Sequence, residues 1–210
     1  NFNNKKYIKK CIQSINNQKI KFKQIIFVDD QSTDGSLDFF KKIRSNKMRL
    51  ILTSKKTKIG SYNQMNAYHE GFLKSTGKII YFLDSDDFFK KNKLQDTLNY
   101  FENNKKLNLI LDTPLVYFNP KKKFKMKIKK RSKYLIPWVK FPSQSCFVVR
   151  RKYLNKIFKK IKINKFPDIW LDFRIILQAI IDKEEIKILN KSLTFYRQSQ
   201  NMESSKFKKF

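Results

Sequence analysis

KIIYFLDSDD, residues 78–87, sets a short apolar run directly before a cluster of acids, and KQIIFVDD, residues 23–30, repeats that arrangement. A short strand without polar alternation is typical of a parallel sheet that helices cover on both faces. Between the two stretches, helical patterns at 36–45 and 61–74 enclose a third strand pattern at 48–53. This order of strands and helices predicts a doubly wound α/β fold with a mainly parallel central sheet.

The second half of the chain is less regular. Further helices are predicted at about 5–17, 92–103, 151–160 and 168–182, and further strands at 107–118, 144–150, 185–189 and 193–197. In 121–131, Phe124, Met126 and Ile128 alternate with lysines, which predicts a strand with one apolar face on the core and one basic face outward. We expect one domain over residues 1–210.

The charge of the chain is strongly basic, at +31 from 48 basic and 17 acidic side chains. Such a charge is typical of proteins that bind nucleic acid or anionic membranes. Lysine supplies 41 of the basic residues and arginine only 7, whereas proteins that read bases rely on arginine. A lysine excess spread over the whole chain favours the coding bias of an AT-rich genome, and we predict no nucleic-acid partner.

The two cysteines, Cys11 and Cys146, lie far apart and each falls in an apolar pattern, so we expect two core residues in a reducing cytosol. No apolar run reaches the roughly 18 residues of a membrane span. We therefore expect a cytoplasmic protein and leave peripheral contact with the inner face of the cell membrane open. The chain opens on Asn1 and stops at Phe210 in a basic stretch, and we expect further sequence at both ends.

Five of the seventeen acids follow predicted strands directly: Asp29, Asp30, Asp84, Asp86 and Asp87. In open α/β sheets the ligand site lies outside the carboxyl ends of the strands, so these side chains should converge on one crevice. Crowded carboxylates repel one another unless a cation joins them, and hard divalent ions prefer oxygen ligands. The DSDD cluster thus predicts a Mg²⁺ or Mn²⁺ site. Asp34 and Ser36 are interpreted as helix caps.

Three stretches together resemble glycosyltransferase family 2, the large family of inverting sugar transferases with a Rossmann-like GT-A fold. They are NFNNKKYIKKCIQSINNQ at 1–18, IIFVDDQSTDGS at 25–36 and GKIIYFLDSDD at 77–87. The resemblance implies a nucleotide-binding half over 1–90 and an acceptor-binding half over 91–210. It also implies that the family's first strand lies just before residue 1.

The resemblance implies specific roles for the acids and their neighbours. Phe2 would pack near the nucleotide base and Asp30 would accept a hydrogen bond from a uracil-like base. Asp84 and Asp86 match the family's D-x-D motif, with Asp86 as the metal ligand and Asp87 as a second one. The full set implied to bind the nucleotide sugar is Phe2, Asn3, Asp29, Asp30, Asp84 and Arg197.

The family's catalytic base lies six residues before an arginine, and FPDIWLDFR at 166–174 places Asp168 six before Arg174. Pro167 occupies the position where the family has glutamate. The pair Pro167-Asp168 also predicts the start of a helix. Asp172, one turn further along the predicted helix, is the alternative base. Trp170 and the lone His69 are interpreted as structural residues.

The function that the resemblance implies is inverting transfer of a sugar from a nucleotide-diphosphate donor, most simply a UDP-sugar. The acceptor would be a hydroxyl of a glycan or lipid-linked glycan in bacterial surface polysaccharide assembly. Two alternatives stay open. One is a nucleotidyltransferase on a similar fold, although the opening NFNNKKY lacks the glycine-rich phosphate loop of that class. The other is a non-enzymatic basic module that binds nucleic acid or membrane.

Overall fold

Residues 1–126 and 142–198 are described by the computed structural model, and in them helices and strands alternate through the first half. The helices are α1 (Lys5–Asn16), α2 (Ser36–Ile43), α3 (Gly60–Lys74), α4 (Lys93–Asn103), α5 (Arg151–Lys160) and α6 (Leu171–Ile181). The strands are β1 (Ile25–Asp29), β2 (Met48–Leu52), β3 (Ile79–Tyr81), β4 (Phe88–Phe89), β5 (Leu109–Asp112), β6 (Leu115–Tyr117), β7 (Lys123–Lys125), β8 (Phe147–Arg150), β9 (Ile186–Leu189) and β10 (Thr194–Arg197). A 3-10 turn, Gln144–Cys146, precedes β8.

The strands pair in three groups, and the α/β class is confirmed. β1 and β2 pair in parallel as predicted, with Ile25 opposite Met48. β3 does not join them in the described residues but pairs antiparallel with β8, in a sheet of order β3-β8-β5-β9. A third sheet has the order β4-β10-β6-β7. Antiparallel pairing is therefore more frequent than the sequence pattern predicted, because strands from the second half insert beside those of the first.

The core lies on both sides of these strands. β5 and β8 pack against α3, α5 and α6 through a large cluster that includes Met65, Leu109, Phe147, Leu154 and Ile175. A separate cluster joins α1 and α2 to β1, where the rings of Phe27 and Phe40 stack at 4.0 Å. Cys11 and Cys146 are free and buried, as predicted. No helix in 1–126 or 142–198 is long and apolar enough to cross a membrane.

Two predictions for the second half are wrong. β7 is exposed at all three residues, and the side chain of Phe124 is 54% exposed, so its apolar position does not pack on the core. The rest of the predicted basic strand, beyond residue 126, lies outside the described residues. The last helix begins at Leu171 rather than at 168, which leaves Asp168 in the preceding loop. Phe166, with a φ of 61°, turns the chain in that loop.

Candidate active site

An acidic triad follows β3, in the loop that leads to β4. Asp84, Asp86 and Asp87 each bring a carboxylate oxygen to within 4.8 Å of the others. Asp87 is 1% exposed, and the other two are half-buried. The loop begins where the apolar strand β3 ends. The three acids, which are close in sequence, are therefore also close in space. We call these three residues the Asp triad.

Asp84 is held from two directions by neutral donors. The hydroxyl of Tyr68, on α3, donates to its Oδ1 at 2.7 Å, and Nε2 of Gln144 donates to its Oδ2 at 2.7 Å. The backbone N–H of Asp84 also donates to Oγ of Ser145 at 3.0 Å. Both carboxylate oxygens are therefore fixed in direction before any ligand arrives.

Asp86 and Asp87 are tied to the end of β10 by Arg197. The backbone N–H of Arg197 donates to Oδ1 of Asp87 at 2.7 Å, and its Nε donates to the carbonyl oxygen of Asp86 at 2.7 Å. Oδ2 of Asp87 is buried and has no hydrogen-bond partner among the described residues. A buried carboxylate oxygen without a partner is unfavourable unless a ligand meets it.

The guanidinium of Arg197 rests on aromatic rings beside the triad. Its central carbon lies 4.4 Å from the ring centroid of Tyr7 and 5.1 Å from that of Tyr117. Lys10 lies over the same Tyr117 ring, at 4.4 Å. Stacking on a ring leaves the edge of a guanidinium able to donate hydrogen bonds. A positive charge is thus maintained next to the Asp triad.

The electrostatics of the triad favour a bound cation. Burial raises the pKa of Asp86 to about 6, and the charge of Asp84 adds to the shift. Burial likewise raises the pKa of Asp87 well above its usual value, with Asp86 and Asp84 adding to it. Three carboxylates and one unmatched buried oxygen are a donor set that fits a hard divalent ion such as Mg²⁺ or Mn²⁺. Each deprotonated carboxylate would be stabilised by such an ion.

A second acidic group lies at the end of β1, in the half implied to bind nucleotide. Oδ2 of Asp29 accepts from Nδ2 of Asn1 at 2.7 Å, and its Oδ1 accepts from the N–H of Ser32 at 2.8 Å. Asp30 accepts from the hydroxyl of Thr53 at 2.7 Å through Oδ1. Both oxygens of Asp29 therefore have partners, from Asn1 and from the loop after β1. Asp30 is buried, and only its Oδ1 has a hydrogen-bond partner among the described residues.

Phe2 and Asn3 continue from this edge toward α1. Phe2 is 47% exposed, although Nζ of Lys56 lies 3.8 Å from the centroid of its ring and covers part of one face. Asn3, with a φ of 48°, accepts from the N–H of Thr33 at 2.8 Å through Oδ1. Asn4 then bridges to the triad loop, because its Nδ2 donates to Oγ of Ser85 at 3.2 Å. The two acidic groups are therefore connected through the start of α1.

Asp34 caps two helices. Its Oδ2 accepts from the N–H of Lys5 at 2.9 Å at the start of α1, and its Oδ1 accepts from the N–H of Ser36 at 2.9 Å at the start of α2. The expected capping role of Asp34 is seen, although Gly35 occupies the formal cap position of α2. These bonds lower the pKa of Asp34 despite the opposing effect of its partial burial. Asp34 is a structural residue.

The loop before α6 is organised by the buried side chain of Arg174. Its Nε donates to the carbonyl of Ile169 at 2.8 Å, and its terminal nitrogens donate to those of Lys162, Lys165 and Phe166. One guanidinium satisfies four carbonyl groups of this loop, among them that of Ile169, which a helix begun at Asp168 would have bonded to the N–H of Phe173. Because the carbonyl of Ile169 is bonded to Arg174 instead, α6 begins at Leu171, and the Pro167-Asp168 helix start predicted from the sequence is wrong.

The two candidate bases differ in their surroundings. Asp168 is exposed in the Arg174 loop, and among the described residues no hydrogen bond or ion pair links it to the Asp triad. Asp172, in the first turn of α6, is half-buried, and its Oδ1 accepts from the N–H of Phe173 at 2.7 Å. Burial raises the pKa of Asp172 to about 6, and the charge of Asp84 adds to the shift. The negative charge of the triad residue Asp84 therefore affects the pKa of Asp172.

Trp170 and His69 have the structural surroundings that were expected of them. The ring of Trp170 packs on the start of α3, since a Cβ at Gly60 would lie 3.4 Å from it, at ordinary contact distance. The imidazole of His69 lies 4.9 Å from the ring of Phe158, and burial lowers its pKa.

The comparisons with known proteins agree with this geometry. The family model for glycosyl transferase family 2 matches residues 1–158, which include the Asp triad and the edge of β1. The chain belongs to glycosyl transferase family 2. The sequence resemblance to that family is confirmed.

Relatives of this family 2 chain come from several organisms. An uncharacterized glycosyltransferase of Nostoc is 29% identical over 211 residues, covering 94% of this chain and 62% of that protein. The minor teichoic acid biosynthesis protein GgaA of Bacillus subtilis is 30% identical over 128 residues, covering 57% of this chain and 27% of that protein.

A solved structure is similar over nearly the whole chain. TarS of Staphylococcus aureus, residues 1–349 in complex with UDP-GlcNAc, superposes with a TM-score of 0.71 and 20% identity, covering 97% of this chain and 58% of that one. The GT-A fold is thereby confirmed. The chain covers less than two thirds of the length of each of these three proteins.

Some residues at the site of this family 2 member could not be identified from its sequence. Tyr68 and Gln144 orient Asp84 from 16 and 60 residues away. Neither lies in a recognisable motif. The only local signal was for the acids themselves, since they follow apolar strands directly.

Proposed function

We propose that this chain is the catalytic domain of an inverting glycosyltransferase that transfers a sugar from a nucleoside-diphosphate donor to a hydroxyl of a cell-surface glycan. The observation that carries the proposal is the Asp triad, with its oxygens within 4.8 Å and the unmatched buried Oδ2 of Asp87. Membership of family 2 supports it.

Asp86 and Asp87 would hold Mn²⁺ or Mg²⁺. A divalent ion bound there supplies positive charge that stabilises a departing diphosphate. Tyr68 and Gln144 keep Asp84 oriented toward the nucleotide sugar. Arg197, fixed to the backbone of Asp86, adds a permanent charge on the side of the diphosphate.

Asp30 and Phe2 would receive the nucleotide base at the edge of β1. Oδ2 of Asp30 is available to accept from a uracil-like N–H, while Thr53 fixes the other oxygen. The exposed ring of Phe2 offers a stacking face. The structure of TarS in complex with UDP-GlcNAc supports a UDP-sugar as donor.

A general base takes the proton of the acceptor hydroxyl as its oxygen bonds to the anomeric carbon. The bond from that carbon to the diphosphate breaks on the opposite face, so one in-line displacement inverts the configuration. We propose Asp168 as the base from its six-residue spacing to Arg174. Asp172 is the second candidate, because a pKa of about 6 suits a base near neutral pH.

The acceptor would be a glycan or lipid-linked glycan of bacterial surface polymer assembly. Two relatives support this class by name: GgaA is a minor teichoic acid biosynthesis protein, and TarS is a poly(ribitol-phosphate) beta-N-acetylglucosaminyltransferase. The proposed location is the cytoplasm, with peripheral contact at the inner membrane face through the basic stretch near Lys123.

The two alternative functions account for fewer of these observations. A nucleotidyltransferase is disfavoured by the family match over 1–158. A basic binding module leaves the Asp triad without a role, since three carboxylates repel phosphate unless a cation is bound.

The test is calorimetric titration of the chain with UDP, GDP and dTDP, in Mn²⁺ and in EDTA. We expect UDP to bind most tightly and only with Mn²⁺. Release of UDP from a UDP-sugar panel would then identify the sugar. Equal binding of all three nucleotides, or binding that EDTA does not weaken, would contradict the proposal.

A further inference from the structure

A buried ion pair lies behind the Asp triad and takes no part in the chemistry proposed above. Lys93 opens α4 and Asp112 ends β5, and both side chains are 0% exposed. Nζ of Lys93 contacts Oδ1 of Asp112 directly. In a chain with 48 basic residues, a fully buried lysine is a costly placement that calls for an explanation.

A first series of hydrogen bonds connects this ion pair to Asp84 through the 3-10 turn. Nζ of Lys93 donates to the carbonyl of Cys146 at 3.2 Å, which fixes the end of that turn. Within the turn, Ser145 accepts from the N–H of Asp84, and Gln144 donates to its carboxylate. Lys93 therefore bonds to the last residue of the turn, Cys146, while the first residue, Gln144, bonds to Asp84.

A second series of hydrogen bonds connects the ion pair to Asp86 and Asp87 through β10. The hydroxyl of Thr194, the first residue of β10, lies 3.0 Å from Nζ of Lys93 and 2.9 Å from Oδ1 of Asp112. Oδ2 of Asp112 accepts from the N–H of Leu193 at 2.8 Å. Three residues after Thr194, Arg197 bonds to Oδ1 of Asp87 and to the carbonyl of Asp86.

We propose that Lys93 and Asp112 are positioning residues for the metal site, holding all three triad acids from behind through the 3-10 turn and β10. A buried ion pair adds little net stability over an apolar pair of the same size, so stability alone does not account for it. Groups behind a metal ligand set the ligand's orientation and thereby the affinity for the ion. The inference rests on the proposed function of the triad as a metal site.

The test is a double variant that removes both charges with little change in volume, Lys93→Met with Asp112→Asn. Each single variant leaves one buried charge without its partner and should lower the melting temperature. The double variant should recover much of that loss, while its Kd for Mn²⁺ rises about tenfold or more over the unchanged chain. Mn²⁺ binding is measured by calorimetry below the melting temperature of every variant.

The matched control is the same pair of changes in a remote ion pair, Lys160→Met with Asp182→Asn. Lys160 contacts Asp182 at 2.6 Å, on α5 and at the end of α6. This control should leave the Kd for Mn²⁺ unchanged. A rise confined to the Lys93 and Asp112 double variant supports positioning, whereas equal affinity in the two double variants overturns it.

Two further outcomes are decisive. If the unchanged chain itself binds neither Mn²⁺ nor Mg²⁺, the metal role of the triad fails, and the positioning role fails with it. If the unchanged chain binds Mn²⁺ but the Lys93 and Asp112 double variant does not fold, Thr194→Val serves instead, because it removes one hydroxyl of the network and leaves both charges paired. Weaker Mn²⁺ binding by that variant supports the inference, and unchanged binding overturns it.

Discussion

The hydroxyl of Tyr68 donates a hydrogen bond to Oδ1 of Asp84 at 2.7 Å, so a side chain from the middle of α3 reaches the Asp triad. Burial raises the pKa of Tyr68 well above its usual value, and the charge of Asp84 adds to the shift, which keeps the hydroxyl protonated as a donor. The direction of the Asp84 carboxylate therefore depends on a helix that contributes no acid of its own to the triad.

Replacing Tyr68 by phenylalanine removes that donor and keeps the ring against Phe82, whose centroid lies 4.8 Å away. We expect kcat/KM for sugar transfer to fall about tenfold, because Asp84 loses one of its two orienting bonds. Tyr81→Phe is the matched control, since it removes a hydroxyl bonded to Thr97 away from the triad. Equal kcat/KM losses in the two variants would argue against a specific role for Tyr68.

Asp86→Asn should abolish transfer while the chain stays folded, because the change keeps the size of the side chain and removes a charged ligand. The melting temperature in EDTA should not fall, since a carboxylate whose pKa is raised to about 6 by burial destabilises the ion-free site at neutral pH. Asp38→Asn, at an exposed acid on α2, is the control. Unaltered activity with the same Mn²⁺ dependence would show that Asp86 is not a metal ligand.

The pair Asp168→Asn and Asp172→Asn distinguishes the two candidate bases. Loss of the true base should lower kcat by about a hundredfold or more and leave the affinity for UDP nearly unchanged. The other variant should be milder. We expect the larger loss at Asp168 from the spacing to Arg174, and the reverse result would transfer the role to Asp172, whose pKa is raised to about 6.

The pKa of Asp172 also predicts a pH dependence of stability. Burial raises the pKa of Asp172 from 3.8 to about 6. The contribution of Asp172 to the free energy of unfolding is therefore complete below about pH 4 and is lost as the pH rises through 6. Asp172→Asn cannot ionise and does not suffer this loss. The melting temperature of the variant relative to the unchanged chain, both in EDTA, should therefore increase between about pH 4 and pH 7. A constant difference would mean that Asp172 titrates normally.

The sequence predicted α1 to α4 and β1 to β3 closely because the signals there are local, whereas it did not predict the two-residue strand β4. Apolar runs before Asp29 and Asp84 predicted β1 and β3, and the acids lie at the end of β1 and in the loop after β3. The family resemblance then supplied the fold. The Asp triad was therefore predictable as a cluster, although its orienting partners were not.

What the sequence could not predict depends on contacts between distant residues. The start of α6 depends on Arg174, which turns back to bond four carbonyl groups of the loop before it. The direction of pairing at β3 depends on β8, whose residue Val148 lies opposite Tyr81. Periodicity within a short window contains no information about either partner.

The bonds from Arg197 to Asp87 and Asp86 span 110 and 111 residues of sequence. During synthesis on the ribosome, the three acids therefore leave the exit tunnel long before the strand that fixes two of them. A nascent chain that has released only residues 1–150 would expose a crowded anionic loop with neither Thr194 nor Arg197 behind it. The proposed ion site should thus be completed late, in the same step that inserts β10 between β4 and β6.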